Sequence, residues 1–131
     1  MSQEIQSRTP MLDKYTANLS EKISKKAEEF QVYGRDKEVK DVIISLLRRT
    51  KNNPILVGEA GVGKTAIVEG LTLAIIRKEV PEDLQGLTVR SLELSSLMTE
   101  EDGGFIAKFK TIIDEMVQTR GENLLFVDEF H

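Results

Sequence analysis

Pro54-Ile55-Leu56-Val57-Gly58-Glu59-Ala60-Gly61-Val62-Gly63-Lys64-Thr65 joins a short apolar run to a glycine-rich turn that closes on Lys-Thr. Its opening apolar run has the length and character of a strand buried on both faces. From Gly58 onward the residues satisfy G-x-x-x-x-G-K-[ST], and Ile67, Val68, Leu71, Ala74 and Ile75 then recur at helical spacing to about Lys78, ahead of Pro81. Strand, glycine-rich turn and helix in that order predict a phosphate-binding loop. The glycines let the backbone curl so that successive N–H groups face an anion, and the helix adds its positive N-terminal end. Lys64 is expected to reach the β- and γ-phosphates and the Thr65 hydroxyl to enter a Mg²⁺ shell. The expected contacts are Gly58, Glu59, Ala60, Gly61, Val62, Gly63, Lys64, Thr65 and Ala66. A plain glycine turn between a strand and a helix is the bland alternative, and the context on both sides of the loop disfavours it.

Further along, Leu124, Leu125, Phe126 and Val127 form a second apolar run that ends in Asp128-Glu129. This predicts a buried strand with acids at its carboxyl end, the Walker B pattern. Ligands of open parallel sheets sit outside the carboxyl ends of the strands, so loop and acids are expected to share one crevice. Asp128 is assigned to Mg²⁺, and Glu129 to orienting and deprotonating the attacking water. Alone, an apolar run ending in two acids reads more simply as a strand end with solvated carboxylates. Downstream of a phosphate loop the balance reverses.

Between and before these motifs the pattern alternates helix and strand. Residues 1–10 are polar and end at Pro10, which suggests a loose lead-in, and Leu12, Tyr15, Leu19, Ile23 and Ala27 predict one helix from Met11 to about Phe30. Val39, Val42, Ile43, Leu46 and Leu47 predict an amphipathic helix ending near Thr50, broken by Asn52-Asn53-Pro54. Thr88 to Leu92 reads as a strand. Thr99 to Gly104 is an acidic, glycine-ended loop, and Phe105, Phe109, Ile112, Ile113 and Met116 predict a helix covering the sheet. These stripes are read as core. The fold class expected is α/β, a P-loop NTPase with a parallel sheet, divided into an N-terminal lead-in and helix (1–30) and a nucleotide-binding part (31–131). Three parallel strands leave a long edge, so the chain is expected to be the leading part of a larger domain unless the N-terminal helices or a partner cap it.

Composition sets the outer bounds. At 131 residues, 40% hydrophobic and 31% charged, the chain can bury one ordinary core. It has no cysteine and a single histidine, which excludes disulfides and thiolate or histidine metal clusters. A net charge of −4 with few aromatics argues against a nucleic-acid surface, and Lys22, Lys25 and Lys26 read as a solvated helix face. No apolar stretch suits a membrane span or a secretory signal, so a cytoplasmic protein is expected. Glu59 and Glu69 are read as surface residues, and His131 receives no role. The sequence lacks Asn-Lys-x-Asp, which disfavours a GTPase.

Beyond the two motifs, Leu12-Asp13-Lys14-Tyr15, Tyr33-Gly34-Arg35-Asp36, Arg48 to Pro54, Gly58 to Gly70, Val80 to Leu84 and Val127 to His131 resemble the first AAA+ module of the Clp ATPase family, ring-forming unfoldases and disaggregases. The resemblance covers roughly residues 11–131. It implies an AAA+ large subdomain, here incomplete, with Val32 and Tyr33 against adenine, ATP and Mg²⁺ as ligands, hexameric rings, and protein substrates drawn through a central pore. It also places the sensor residues, arginine finger and small helical subdomain beyond His131, so slight turnover is expected of this chain alone. Three sequence departures stand out. Thr99-Glu100-Glu101-Asp102-Gly103-Gly104 replaces a Lys-Tyr-Arg-Gly-like pore loop and lacks the aromatic that grips by apolar and π contact. Glu29-Phe30-Gln31 stands where Leu-Asp-Pro is usual, and Ala60 where proline is common. The acidic loop opens a second reading, a nucleotide-dependent assembly or regulatory module that threads no protein.

Overall fold

The structure is a computed structural model and describes residues 7–25, 36–49, 55–58 and 64–128. Within them the order is α1 (Pro10–Tyr15), β1 (Ala17–Asn18), α2 (Leu19–Ser24), α3 (Asp36–Arg49), β2 (Ile55–Gly58), α4 (Lys64–Ile76), β3 (Thr88–Glu93), α5 (Gly104–Gln118) and β4 (Asn123–Asp128), with short 3₁₀ turns at Glu82–Leu84, Leu94–Leu97 and Glu101–Gly103. The strands form one four-stranded sheet in the order β1-β3-β4-β2. β2, β3 and β4 run parallel, as the alternating pattern requires, and β1 joins the outer edge of β3 antiparallel.

The apolar run of β4 is continuous because both of its faces are covered. Leu124 and Phe126 pack with Val39 of α3 and Val68, Leu71 and Ile75 of α4. Leu125 and Val127 pack with Leu12 of α1 and Ile112 and Met116 of α5. Successive strand residues point to opposite faces, so one strand serves two cores in a helix–sheet–helix sandwich. The stripes assigned to α4 and α5 do form core, with Leu71 and Ile112 fully buried.

The N-terminal region differs from the expectation of one helix from Met11 to Phe30, of which residues 26–30 lie outside the described part. The helix stops at Tyr15 because Thr16 is extended (φ −117°, ψ 154°) and turns its hydroxyl onto the Leu12 carbonyl. Asn18 then caps a new helix, its side chain accepting from the Glu21 N–H at 2.9 Å. Asn18 with Glu21 three residues on is a capping-box spacing, a start signal in mid-helix that outweighs the apolar period. Nor is the lead-in loose where it is described. Pro10 occupies the first turn of α1, the Thr9 residue is buried, and Arg8 donates to both Glu122 carboxylate oxygens at 3.1 Å and to the Gln118 carbonyl. This N-terminal segment supplies the short strand that partly covers the sheet edge. The sheet is therefore mixed, with its parallel part intact.

Candidate functional site

Register brings the two motifs together. Ile55, Leu56, Val57 and Gly58 of β2 pair with Leu125, Phe126, Val127 and Asp128 of β4, so the last residue of each strand lies level with the other. Neighbouring strands are about 4.8 Å apart, so the Gly58 and Asp128 backbones share one edge of the sheet. The helix α4 opens at Lys64, and its first turn contains no acidic residue. An uncompensated helix N-terminus favours an anion. Gly58, Lys64, Thr65, Ala66 and Asp128 are thus placed by the backbone at the ends of β2 and β4 and the start of α4, with Ala66 half-buried. Val32, Tyr33, Glu59, Ala60, Gly61, Val62, Gly63 and Glu129 lie outside the described residues. Among the described residues no group of three or more His, Cys, Asp or Glu could hold a metal ion.

One residue at this end escapes sequence reasoning. Glu93 ends β3 level with Asp128 and is exposed. Only pairing across strands puts a carboxylate there, because nothing in the local run Thr88 to Glu93 marks its last residue. At the opposite end of the same strands the polar groups are structural. Arg90 Nε donates to Asn123 Oδ1 at 3.0 Å, Asn123 Nδ2 donates to Thr119 Oγ1 at 3.0 Å, and Arg90 Nη1 meets Asp13 at 3.1 Å. Asp13 titrates below the ordinary carboxylate range, chiefly through the hydrogen bond from Ser7, with burial opposing and Thr9 and Arg90 assisting.

A further polar cluster lies where the chain leaves β3. Lys108 of α5 is fully buried, and its Nζ donates to the Leu97 carbonyl at 3.1 Å, the Thr99 carbonyl at 2.9 Å and Thr99 Oγ1. The same ammonium stands 5.1 Å from the Tyr15 ring centroid. Asp102, in the left-handed region (φ 53°, ψ 31°), receives Lys14 Nζ at 2.8 Å and the Tyr15 hydroxyl at 2.5 Å on one carboxylate oxygen. Those two donors, Lys14 first, hold the Asp102 carboxyl below its usual range; the same contact with Asp102 raises Lys14 and Tyr15. Lys108 sits in the apolar stripe of α5, where its charge hid it from a periodicity reading.

Among the described residues no helix is long and apolar enough to cross a membrane. The profile of the SMAX1 nucleotide binding domain family matches residues 28–129. The chaperone protein ClpB of Lactococcus lactis subsp. lactis (strain IL1403) is 43% identical over 99% of this chain and 15% of its own length. ClpB of Meiothermus ruber is 48% identical over 83% of this chain and 13% of its own. A solved S. cerevisiae Hsp104–ADP complex superposes with a TM-score of 0.72 at 38% identity, covering 92% of this chain and 17% of that one. Hsp104 with ATPγS and FITC casein, in a closed state, gives 0.70 at 38% identity over 90% of this chain and 21% of that one. The chain thus spans about one-seventh of the curated relatives it matches. Matched along most of its length in sequence and fold, this chain belongs to the Clp ATPase family and corresponds to the N-terminal part of its first AAA+ nucleotide-binding module.

Proposed function

We propose that this chain binds ATP at the carboxyl ends of β2 and β4 and, within a complete ring assembly, hydrolyses it with Mg²⁺. The observation that supports this best is the level pairing of Gly58 with Asp128 beside a helix that opens at Lys64. Residues Gly58 to Ala66 hold the phosphates, the backbone N–H groups and the helix end favouring the anion and Lys64 adding a point charge toward the γ-phosphate. Val32 and Tyr33 lie against adenine. The Thr65 hydroxyl and the Asp128 carboxylate are hard oxygen donors, a set that suits Mg²⁺. When bound, Mg²⁺ offsets the negative charge that builds on the transferred phosphoryl group. Glu129 orients the attacking water and accepts its proton.

In the ring assembly, an arginine from a neighbouring subunit adds charge stabilisation worth roughly 10³-fold or more in rate. The parent assembles as a hexameric ring in the cytoplasm and acts on protein substrates, without nucleic acid or membrane as a partner. Calorimetric titration with Mg²⁺-ATP tests the site. Saturable binding is expected, lost in Lys64→Ala and resistant to GTP competition; absence of binding to the unaltered chain refutes the reading.

One observation favours a second reading, in which ATP organises subunits without threading of protein. The acidic segment Thr99 to Gly104 has no aromatic, and its Asp102 is tied to Lys14 and Tyr15. Replacing this segment in the parent is then expected to leave ATPase activity and assembly intact. Loss of translocation of an unfolded model substrate in that variant rules the second reading out.

A further inference from the structure

The segment between β3 and α5 is fixed at both of its ends. At the first, the buried Lys108 ammonium holds the Leu97 and Thr99 carbonyls. At the second, the chain turns through three successive positive φ values, 53° at Asp102, 91° at Gly103 and 87° at Gly104. Glycine adopts such angles freely, and an aspartate takes the left-handed region at a modest cost that side-chain contacts can offset. The holding groups belong to α1. Lys14 Nζ and the Tyr15 hydroxyl converge on a single Asp102 oxygen, and Lys14 Nζ also lies 3.7 Å from Glu101 Oε2. The Tyr15 ring is near two ammonium groups, 5.3 Å from Lys14 Nζ and 5.1 Å from Lys108 Nζ. Tyr15 therefore joins both fixed points.

The helix α1 is in turn fastened at its other end. The buried Glu115 carboxylate of α5 accepts from the Leu12 N–H at 2.8 Å and the Met11 N–H at 3.1 Å. The segment from Arg8 to Tyr15 thus lies along α5 as a strap, held by Glu122 and Glu115 at one end and by Asp102 at the other. We propose that this strap is a latch for the acidic 98–104 segment, holding it closed while α1 is docked and releasing it as a mobile loop when α1 lifts. The latch uses no residue of the nucleotide crevice, so it stands or falls independently of ATP binding.

The chain has no cysteine, so a nitroxide on Glu100→Cys reports the segment and one on Lys110→Cys, on the exposed side of α5, serves as the reference. Electron paramagnetic resonance of both labels is recorded with Lys14→Met and Tyr15→Phe combined, and with Asp102→Gly. Tyr15→Phe keeps the ring beside the Lys108 ammonium while removing the hydroxyl, and Asp102→Gly permits the positive φ while removing the carboxylate. Both backgrounds are expected to shorten the correlation time at position 100 by about threefold or more and leave position 110 unchanged. Hydrogen exchange at the Gly104 amide, which donates to the Glu101 carbonyl, should accelerate roughly tenfold in parallel. Unchanged mobility at position 100 in both backgrounds overturns the latch. An equal gain at positions 100 and 110 overturns it too, because α5 as a whole would then have loosened.

Discussion

Lys108→Met isolates what a buried ammonium does for this fold. Methionine matches the length of the lysine stem, so packing beside Tyr15 and Leu97 is largely retained and the change falls on Nζ. Two carbonyls, of Leu97 at 3.1 Å and Thr99 at 2.9 Å, lose their donor together with Thr99 Oγ1. The buried Leu97 carbonyl, once stranded, costs about 1–3 kcal/mol, the half-exposed Thr99 acceptors less, and loss of the contact with the Tyr15 ring adds about 1 kcal/mol. Against this, the variant no longer has to desolvate a charge, an effect worth several kcal/mol in the opposite direction. The site is well satisfied: among the described residues no buried side-chain nitrogen or oxygen lacks a partner. Breaking a satisfied buried polar cluster should therefore dominate, giving a net loss of about 2–3 kcal/mol. For a chain of this size that lowers Tm by roughly 10 °C. Thermal and urea unfolding of Lys108→Met, Thr99→Val and the double variant measure both the loss and its coupling. A Lys108→Met variant as stable as the parent, or more stable, refutes the reasoning, since desolvation would then outweigh the bonds.

Other expectations follow from the same geometry. Asp13 and Asp102 titrate below their unfolded values, so their contributions are present above about pH 4 and disappear as pH falls through the folded values. Lys14 and Tyr15 titrate above theirs, so their contributions are complete below about pH 10 and are lost as pH rises through the folded values. The α1–loop contact should therefore loosen at both extremes in an amide-exchange pH series, and a contact unchanged at pH 3 contradicts this. Gly103→Ala meets both a φ of 91° and an Ala107 Cβ at 2.9 Å, whereas Gly121→Ala has a φ of 84° and nothing within 4 Å. Urea unfolding should show a loss of about 1 kcal/mol at Gly121 and at least twice that at Gly103; equal losses would mean that the close contact relaxes freely. Leu125→Ala removes a fully buried side chain facing Leu12, Ile112 and Met116 and should cost about 3 kcal/mol, with a loss below 1 kcal/mol pointing to a collapsed cavity.

The parts of this fold that were legible in the sequence are those whose signal is local. β4 announces itself because Leu124 to Val127 are all buried or nearly so between two helical layers, and α5 because Phe105, Phe109, Ile112 and Met116 share one stripe. The break at Thr16 was legible too, through Asn18 and Glu21, but the apolar spacing of Leu12, Leu19 and Ile23 masked it. β1 is different in kind. A strand of two residues has no period, and Ala17–Asn18 becomes a strand only because β3 offers an unpaired edge. The candidate site divides the same way. Glycines and Lys64 are a local pattern, whereas the level alignment of Gly58, Asp128 and Glu93 depends on strand pairing that no short window contains.

That alignment separates the labour of the two ends of the sheet. At the amino ends of β3 and β4, Arg90, Asn123 and Thr119 satisfy one another, and Asp13 pairs with Arg90, so those polar groups are committed to holding the fold. At the carboxyl ends, Glu93 and Asp128 stand level with the glycine that opens the loop, next to a helix start with no acid in its first turn. The two cores fix β4 from both faces through Leu124, Leu125 and Val127. Under the proposed function, a phosphate would occupy the helix end and its cation would be drawn to the acids that this end of the sheet carries. Glu93→Gln separates the two contributions: it should weaken the Mg²⁺ dependence of nucleotide binding while sparing binding of nucleotide without metal. Equal loss of both would place Glu93 in phosphate positioning instead.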